Sequence, residues 1–104
     1  MSPYLLKILL PDKKIYNHNI ISMTIPCENG PLTVLAGHAP MTAMLVEGSV
    51  IIKTEQETLE AIIGQGILQV GKNTATVMVY SFKWSADESE EEVTEETGKE
   101  DLML

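Results

Sequence analysis

The residue types that could support chemistry in this chain are few, and the most suggestive of them is His38. This histidine stands in a Gly37-His38-Ala39-Pro40 corner that follows a short apolar segment, and the only other histidine is His18. A catalytic zinc ion needs three protein ligands, yet no pair of candidates here has the spacing of ligands on a helix or hairpin. A nucleophile paired with a histidine needs an orienting acid, for which the sequence has no signature. We therefore expect no catalytic and no metal site. We expect the His38 ring to shape the corner by hydrogen-bonding the backbone of the following strand, and to present an edge to a partner.

Two further motifs also favour a structural interpretation. Gly64-Gln65-Gly66 is followed by a predicted strand and lacks the Lys-Ser/Thr of a phosphate loop, so we expect no cofactor. Cys27 is the single cysteine, which excludes an intramolecular disulfide. Free cysteines are most often small buried apolar groups, and we expect Cys27 to be a half-buried thiol near a strand end.

The charge of the chain is concentrated at its C-terminal end. The 104 residues carry 15 acidic side chains and seven lysines, for a formal net charge of −8, and no arginine. Nine acidic residues and one lysine lie in residues 85–104, whereas six of each cancel before them. We predict a neutral folded domain over residues 1–84 and a disordered acidic tail over residues 85–104. The lack of arginine argues against a nucleic-acid partner.

Membrane insertion is not expected either. The opening Met-Ser-Pro-Tyr has no basic flank, and no apolar run reaches the roughly 18 residues of a membrane span. We expect a soluble chain that would act at a membrane only through another protein.

The pattern of apolar residues up to position 84 is typical of short β-strands. Alternation with a period of two, broken every few residues by Gly, Pro, Asn or Asp, predicts eight or nine strands in an antiparallel sandwich or barrel. The predicted strands are residues 4–10, 14–16, 21–25, 32–35, 41–45, 49–54, 57–63, 67–70 and 74–82. The side chains predicted to face the core include Ile21, Met23, Ile25, Val50, Ile52, Leu59, Ala61, Ile63, Ala75, Val77 and Val79. Asn17-His18-Asn19 is interpreted as a corner.

Several strands carry apolar residues on both faces, as at Leu5-Leu6, Ile51 and Ile62. Such strands are either central to packed layers or display an exposed apolar patch for a partner. The sequence leaves both interpretations open.

The order of these motifs resembles one known family. The stretch Gly30-Pro31-Leu32-x-Val34-x-x-Gly37-His38-Ala39-Pro40-Met41 is followed by Glu47-Gly48 and then by Gly64-x-Gly66-Ile67-Leu68-Gln69-Val70. This order is similar to that of the N-terminal domain of the ATP synthase epsilon subunit, which is called delta in mitochondria. The resemblance covers roughly residues 4 to 82. It departs at Gln65, Glu47 and Thr33, where the family has glycine, proline and glycine.

The resemblance implies an all-β fold, a flattened antiparallel sandwich of about ten strands, with no active site of its own. It implies a central-stalk (rotor) subunit that links the gamma subunit to the c-ring and supports the coupling of proton or sodium flow to ATP synthesis. Such a subunit is peripheral, on the cytoplasmic face of the bacterial inner membrane or the equivalent side in an organelle. The implied c-ring contacts are Glu28, Asn29, Gly30 and Pro31. The implied gamma contacts are His38, Met41, Thr42 and Ala43.

The family's C-terminal helical hairpin has no counterpart in the acidic residues 85–104, so we expect a short form. Inhibitory or nucleotide-sensing roles of that hairpin are not carried over. The alternative function is a free-standing β-sandwich that binds another protein or a small ligand. A hydrolytic or metal enzyme using His38 is the third hypothesis.

Overall fold

A computed structural model of the chain describes residues 2–85, and the tail predicted for residues 85–104 lies outside them except for Ser85. The described part consists of ten strands and their turns. The strands are β1 (Tyr4–Leu10), β2 (Lys13–Ile20), β3 (Ser22–Cys27), β4 (Gly30–Leu35), β5 (Met41–Leu45), β6 (Gly48–Lys53), β7 (Thr58–Ile63), β8 (Gly66–Gly71), β9 (Thr74–Val79) and β10 (Phe82–Trp84). Within these residues there is no helix with the length and hydropathy to cross a membrane.

Two of the predicted elements were wrong. Asn17-His18-Asn19 is not a corner but part of β2, which lies at one end of the sheet. A strand with one unpaired edge tolerates exposed polar side chains, so its alternation is weak. The strand predicted for residues 74–82 is divided at Tyr80-Ser81 into β9 and β10. The division explains why there are ten strands and not eight or nine.

The strands form one continuous, mostly antiparallel sheet in the order β10-β7-β6-β3-β5-β8-β9-β1-β2, with β4 paired to β3. Its one parallel step joins β1 to β9, from Leu5 opposite Thr74 to Leu9 opposite Met78. The sheet curls on itself to give a sandwich of 40 × 28 × 22 Å. This is the flattened shape that the family resemblance implies. We use "layer 1" for β10, β7, β6, β3 and β4, and "layer 2" for β5, β8, β9, β1 and β2.

The core lies between the two layers and is built from aliphatic side chains. Side chains point to alternate faces along each strand, so every second residue is buried. The buried set includes Met23, Ile25, Val50, Ile52, Ala61, Ile63, Ala75, Val77 and Val79, as predicted. Ile21 and Leu59 are only half-buried. Among residues 2–85, Tyr4 is the one aromatic residue of the buried core, and its hydroxyl donates to the carbonyl of Val34 over 2.6 Å.

Aromatic side chains close the sandwich where the two ends of the sheet meet. The rings of Tyr16 on β2 and Trp84 on β10 pack edge to face with their centroids 5.6 Å apart. Phe82 extends this cluster at 4.8 Å from Trp84, and His18 does so at 4.8 Å from Tyr16. Edge-to-face packing adds to the stability gained by burial, so this cluster holds the two layers together at their open side.

Because the sandwich has only two layers, the second apolar face of each strand is turned outward. Ile51 and Ile62 are exposed on layer 1, and Met44, Ile67 and Met78 are exposed on layer 2. Of the two interpretations that the sequence left open, the structure therefore supports exposed apolar surface.

Candidate functional site

The predicted c-ring contact forms the tip of a tight hairpin. Cys27 at the end of β3 is opposite Gly30 at the start of β4, so only Glu28 and Asn29 form the connecting turn. Both side chains are exposed. Gly30 has a φ of 113°, a conformation that L side chains rarely adopt, which explains a glycine here. Gly30 and Pro31 are the first residues of β4, so the predicted four-residue contact combines a turn with the base of a strand.

This tip is attached to β5 through the main chain. The amide of Glu28 donates to the carbonyl of Met44 over 3.0 Å, and the amide of Val46 donates to the carbonyl of Pro26 over 3.1 Å. Between these two bonds, Cys27 lies opposite Leu45. The β3–β5 step is also the place where the sheet passes from layer 1 to layer 2, so the tip lies at the junction of the layers.

His38 ends the turn that separates β4 from β5. Its main-chain amide donates to the carbonyl of Leu35 over 3.1 Å, and Gly37 at the third position of the turn has a φ of 83°. A positive φ at that position is what a type II turn requires. The ring Nδ1 lies 2.8 Å from the carbonyl oxygen of Ala39, which can only accept, so Nδ1 carries the proton. In the neutral ring this leaves Nε2 as an acceptor.

The His38 ring does form a hydrogen bond with nearby backbone, but the predicted acceptor was wrong. Its acceptor lies in the corner just before β5, not in the strand. The ring is half-buried, and it remains a candidate contact.

The remaining predicted gamma contacts lie on β5 and differ in orientation. Met41 and Ala43 are turned toward the core and pack against it. Thr42 is exposed on the outer face, and so is Met44, with 52% of its surface accessible. Only Thr42 of these three predicted residues therefore offers its side chain to a partner on the outer face, and Met44 is a residue that sequence reasoning missed.

Met44 begins a row of apolar side chains that runs across layer 2. It lies opposite Ile67 on β8, Ile67 lies opposite Met78 on β9, and Met78 pairs with Leu9 on β1. We call Met44, Ile67, Met78 and Leu9 the apolar row. A signal for it existed in the sequence, because each of these residues alternates with a buried one. The register that aligns them across four strands could not be read from the sequence.

A polar row runs beside the apolar row. It consists of Thr42, Gln69, Thr76 and Lys7, which lie opposite one another on the same four strands. Lys7 is the only charged residue in β1, β5, β8 and β9. An outer face with one apolar row, one hydrogen-bonding row and few charges has the composition of a protein–protein contact.

Two open grooves border the apolar row. One has a volume of about 430 Å³ and lies between Leu9-Leu10-Pro11 on one side and Ile67, Met78 and Tyr80 on the other. The second, of about 280 Å³, lies between the hairpin tip at Glu28 and the segments Met44–Val46 and Gln65–Ile67. Tyr80 lines both grooves and is 78% exposed.

Cys27 and the side chains that could bind a metal ion are the remaining chemically relevant groups. The Cys27 side chain is half-buried, with Sγ 3.8 Å from the carbonyl oxygen of Ile25, and burial raises the pKa of its thiol. A raised pKa keeps the thiol protonated and unreactive at neutral pH. Among residues 2–85, no three His, Cys, Asp or Glu side chains are grouped so that they could hold a metal ion.

The sequence of this chain matches one protein family and several of its members. Residues 4–85 match the family model of the ATP synthase, Delta/Epsilon chain, beta-sandwich domain. The ATP synthase epsilon chain of Sulfurimonas denitrificans is 35% identical over 80 residues, which are 76% of this chain and 62% of that one. That of Protochlamydia amoebophila is 33% identical over 98 residues, 93% of this chain and 63% of that one. The chain thus spans less than two thirds of the length of these curated relatives.

A solved structure has the same fold. A chain in the cryo-EM structure of the Euglena gracilis mitochondrial ATP synthase, OSCP/F1/c-ring, superposes with a TM-score of 0.77 at 19% identity, covering 85% of this chain and 58% of that one. At this identity the likeness concerns the fold alone. The family match, however, extends over all ten strands and contains the Gly37-His38-Ala39-Pro40 corner. This chain belongs to the delta/epsilon family of ATP synthase subunits, as its β-sandwich domain.

Proposed function

We propose that this chain is a non-catalytic subunit of the ATP synthase rotor, where it links the gamma subunit to the c-ring. In this role it supports the coupling of proton or sodium flow to ATP synthesis. The observation that carries the proposal is the match of residues 4–85 to the family, and the structure has two candidate contact surfaces that support it. One surface is the hairpin tip, and the other is the outer face of layer 2.

The hairpin tip suits a contact with polar loops of the c-ring. Glu28 and Asn29 project from the end of a two-stranded ribbon, and both are exposed and polar. The two hydrogen bonds to β5 restrain this ribbon, so its tip does not need to be ordered at the moment of binding. A contact that is ordered in advance loses less conformational entropy when it forms.

The outer face of layer 2 suits a stable contact with gamma. It combines Thr42 and the nearby His38 corner with the apolar row, whose members would bury apolar surface against a partner. Burial of apolar area stabilises association by about 25 cal/mol per Å² before the costs of ordering are subtracted. The two predicted residues that point into the core, Met41 and Ala43, support this face from below.

We infer that the chain is located at a membrane surface. As a rotor subunit the chain is peripheral, on the cytoplasmic face of a bacterial inner membrane or on the matrix or stromal side in an organelle. It has no active site of its own and takes part in catalysis only by transmitting rotation.

A pocket lined by converging polar groups would favour the alternative function, a free-standing binding module. The groove of about 430 Å³ is instead open and is lined largely by apolar side chains such as Leu9, Ile67 and Met78. This favours a protein partner over a small polar ligand. The match to the ATP synthase delta/epsilon family then favours the rotor over a free-standing module that binds another protein.

Co-purification tests the proposal. A tagged full-length chain is expressed together with gamma and c-ring subunits of the same synthase, and the complex is isolated in mild detergent. We expect all three components to be recovered together, and mass spectrometry of the intact assembly to give one copy of this chain per gamma. A chain that remains alone in the presence of both would overturn the proposal.

A further inference from the structure

The glycine corner Gly64-Gln65-Gly66 has no role in the rotor proposal. It is hydrogen-bonded to a bend at which one aromatic side chain, that of Tyr80, is exposed. β9 ends at Val79, and the chain bends at Tyr80-Ser81 before β10 begins at Phe82. Val79 and Phe82 return to the core, whereas Tyr80 is 78% exposed, the largest value among the exposed apolar residues of the described chain.

The bend at Tyr80 is held firmly by main-chain hydrogen bonds to the glycine corner. The amide of Tyr80 donates to the carbonyl of Gln65 over 3.2 Å, and the amide of Gly64 donates to the carbonyl of Ser81 over 3.1 Å. These reciprocal bonds join the two segments that connect layer 1 to layer 2, Gly64-Gln65 after β7 and Tyr80-Ser81 after β9. The Tyr80 backbone is therefore fixed, although its ring covers little of its own protein.

Gly66 is needed for this close approach, and Gly64 leaves room for the Ser81 side chain. A Cβ at Gly64 would clash with Oγ of Ser81, and a Cβ at Gly66 would clash with the carbonyl oxygen of Met78 and lie 2.8 Å from Cα of Val79. Neither glycine has a positive φ that would require it. The close packing of Gly66 against the end of β9 therefore explains a glycine there, and turn conformation does not.

A large aromatic ring on a rigid backbone between two apolar grooves has the features of an interface anchor. Tyrosine offers a large apolar surface at a small cost in conformational entropy, and it is enriched among residues that dominate binding energy. One groove beside Tyr80 extends to Leu9 and Met78, and the other extends to Met44 and Val46. Leu9 and Met44 are the two ends of the apolar row, so a partner covering the row also reaches Tyr80.

We propose that Tyr80 is the anchor residue of the gamma contact, packed by an apolar segment of gamma that fills the two flanking grooves. The inference rests on the proposed function, because it takes gamma as the occupant of this face. The choice of gamma over the c-ring follows from continuity with the apolar row. Glu28 at the hairpin tip lines only the smaller groove, whereas Tyr80 and Ile67 line both.

The test measures the affinity of the full-length chain for purified gamma by titration calorimetry. Truncating Tyr80→Ala is expected to weaken the affinity by about 30-fold, the effect of an anchor residue. Tyr80→Phe keeps the ring and is expected to stay within about threefold of the wild type, since the contact is apolar. The matched control is Ile62→Ala, which removes a side chain that is 42% exposed on the opposite outer face, and it is expected to leave the affinity unchanged.

The outcomes separate this inference from the proposed function. If the wild-type chain does not bind gamma, the rotor proposal itself fails. If the wild-type chain binds and Tyr80→Ala binds within about twofold of it, the anchor assignment is overturned while the rotor proposal stands. A loss of affinity for gamma in Tyr80→Phe as large as that in Tyr80→Ala would also overturn the anchor assignment. Thermal unfolding of each variant checks that the fold is intact.

Discussion

The main-chain amide of Glu28 donates a hydrogen bond to the carbonyl oxygen of Met44 over 3.0 Å. This bond joins the exposed hairpin tip, where we propose the c-ring contact, to the strand that carries part of the proposed gamma contact. With the bond from Val46 to Pro26, it makes a short piece of antiparallel ladder between β3 and β5. A force applied at the tip reaches β5 through these bonds without passing through the rest of the sandwich.

Replacing Val46 with proline tests this ladder. Proline has no amide hydrogen, so the bond to the carbonyl of Pro26 cannot form. We expect a loss of about 1 to 3 kcal/mol in the free energy of unfolding, together with faster hydrogen exchange at the Glu28 amide. Val46→Ala retains the amide and alters only a partly exposed side chain, so its exchange rate at Glu28 should match the wild type. Equal rates in both variants would show that the Val46 bond does not restrain the tip.

The close approach of β9 to Gly66 predicts that a larger residue at this position lowers the free energy of unfolding. In Gly66→Ala the new Cβ meets the Met78 carbonyl and lies 2.8 Å from both Cα and Cγ1 of Val79, so β8 and β9 must separate. We expect the free energy of unfolding to fall by about 3 kcal/mol, as for other overpacked sites. Gly71→Ala in the same strand is the control.

At Gly71 the added Cβ would approach only Oγ1 of Thr74, at 3.2 Å. Alanine there should cost less than about 1 kcal/mol, because it also reduces the entropy of the unfolded chain. Urea denaturation of the two variants measures the difference. A Gly66→Ala variant as stable as Gly71→Ala would contradict the packing at this corner.

Burial of Tyr4 predicts a loss of stability at alkaline pH. Burial raises the pKa of Tyr4 from 10.0 to about 12, so the folded protein binds the phenol proton more tightly than the unfolded chain does. The corresponding stability is present in full below pH 10 and is lost as the pH rises through about 12, by on the order of 2 kcal/mol. In Tyr4→Phe this part of the decline should be absent.

The same substitution also removes a hydrogen bond. The Tyr4 hydroxyl donates to the carbonyl of Val34, so Tyr4→Phe should be about 1 to 2 kcal/mol less stable at pH 7. Chemical denaturation between pH 7 and pH 11.5 measures both effects. A variant whose stability falls with pH as steeply as the wild type would assign the alkaline transition to another group, such as Tyr16, whose pKa is also raised.

Removal of the acidic residues 86–104 should leave thermal unfolding nearly unchanged. A strongly acidic segment with few apolar residues buries little surface, and burial is what stabilises a fold. The cut belongs after Ser85 and not before it, because the Ser85 amide donates to the carbonyl of Glu60 over 2.9 Å. Differential scanning calorimetry of the two chains measures the shift, and a fall of several degrees would mean that residues 86–104 pack on the sandwich.

The sequence predicts those parts of the fold that depend on local alternation. β5 is bounded as predicted, and the buried faces of β6 and β9 are correct, because each of these strands has one face on the core. β2 was predicted too short, since an edge strand carries exposed side chains such as Asn17 and His18. The bend at Tyr80 was missed because it is imposed by the glycine corner on another strand.

The candidate site was predictable only in part, because some of its features depend on local sequence and others on the register between distant strands. The hairpin tip and the His38 corner depend on glycine and proline at short range, so their positions could be read from the sequence. The inward orientation of Met41 and Ala43 depends on register, as does the alignment of Met44 with Ile67. Register across distant strands is set by the whole core and leaves no local pattern in one sequence.

The parallel pairing of β1 with β9 sets the order in which the domain can be completed during synthesis. The first strand acquires β2 as a partner at once, but its other edge waits for Thr74–Met78, which are made almost at the end of the folded part. At about 5–20 residues per second, this leaves the β1 edge unpaired for roughly 3 to 14 seconds on the ribosome. The apolar face of the first hairpin is exposed for that time, so the nascent chain is most open to aggregation or chaperone capture before β9 emerges.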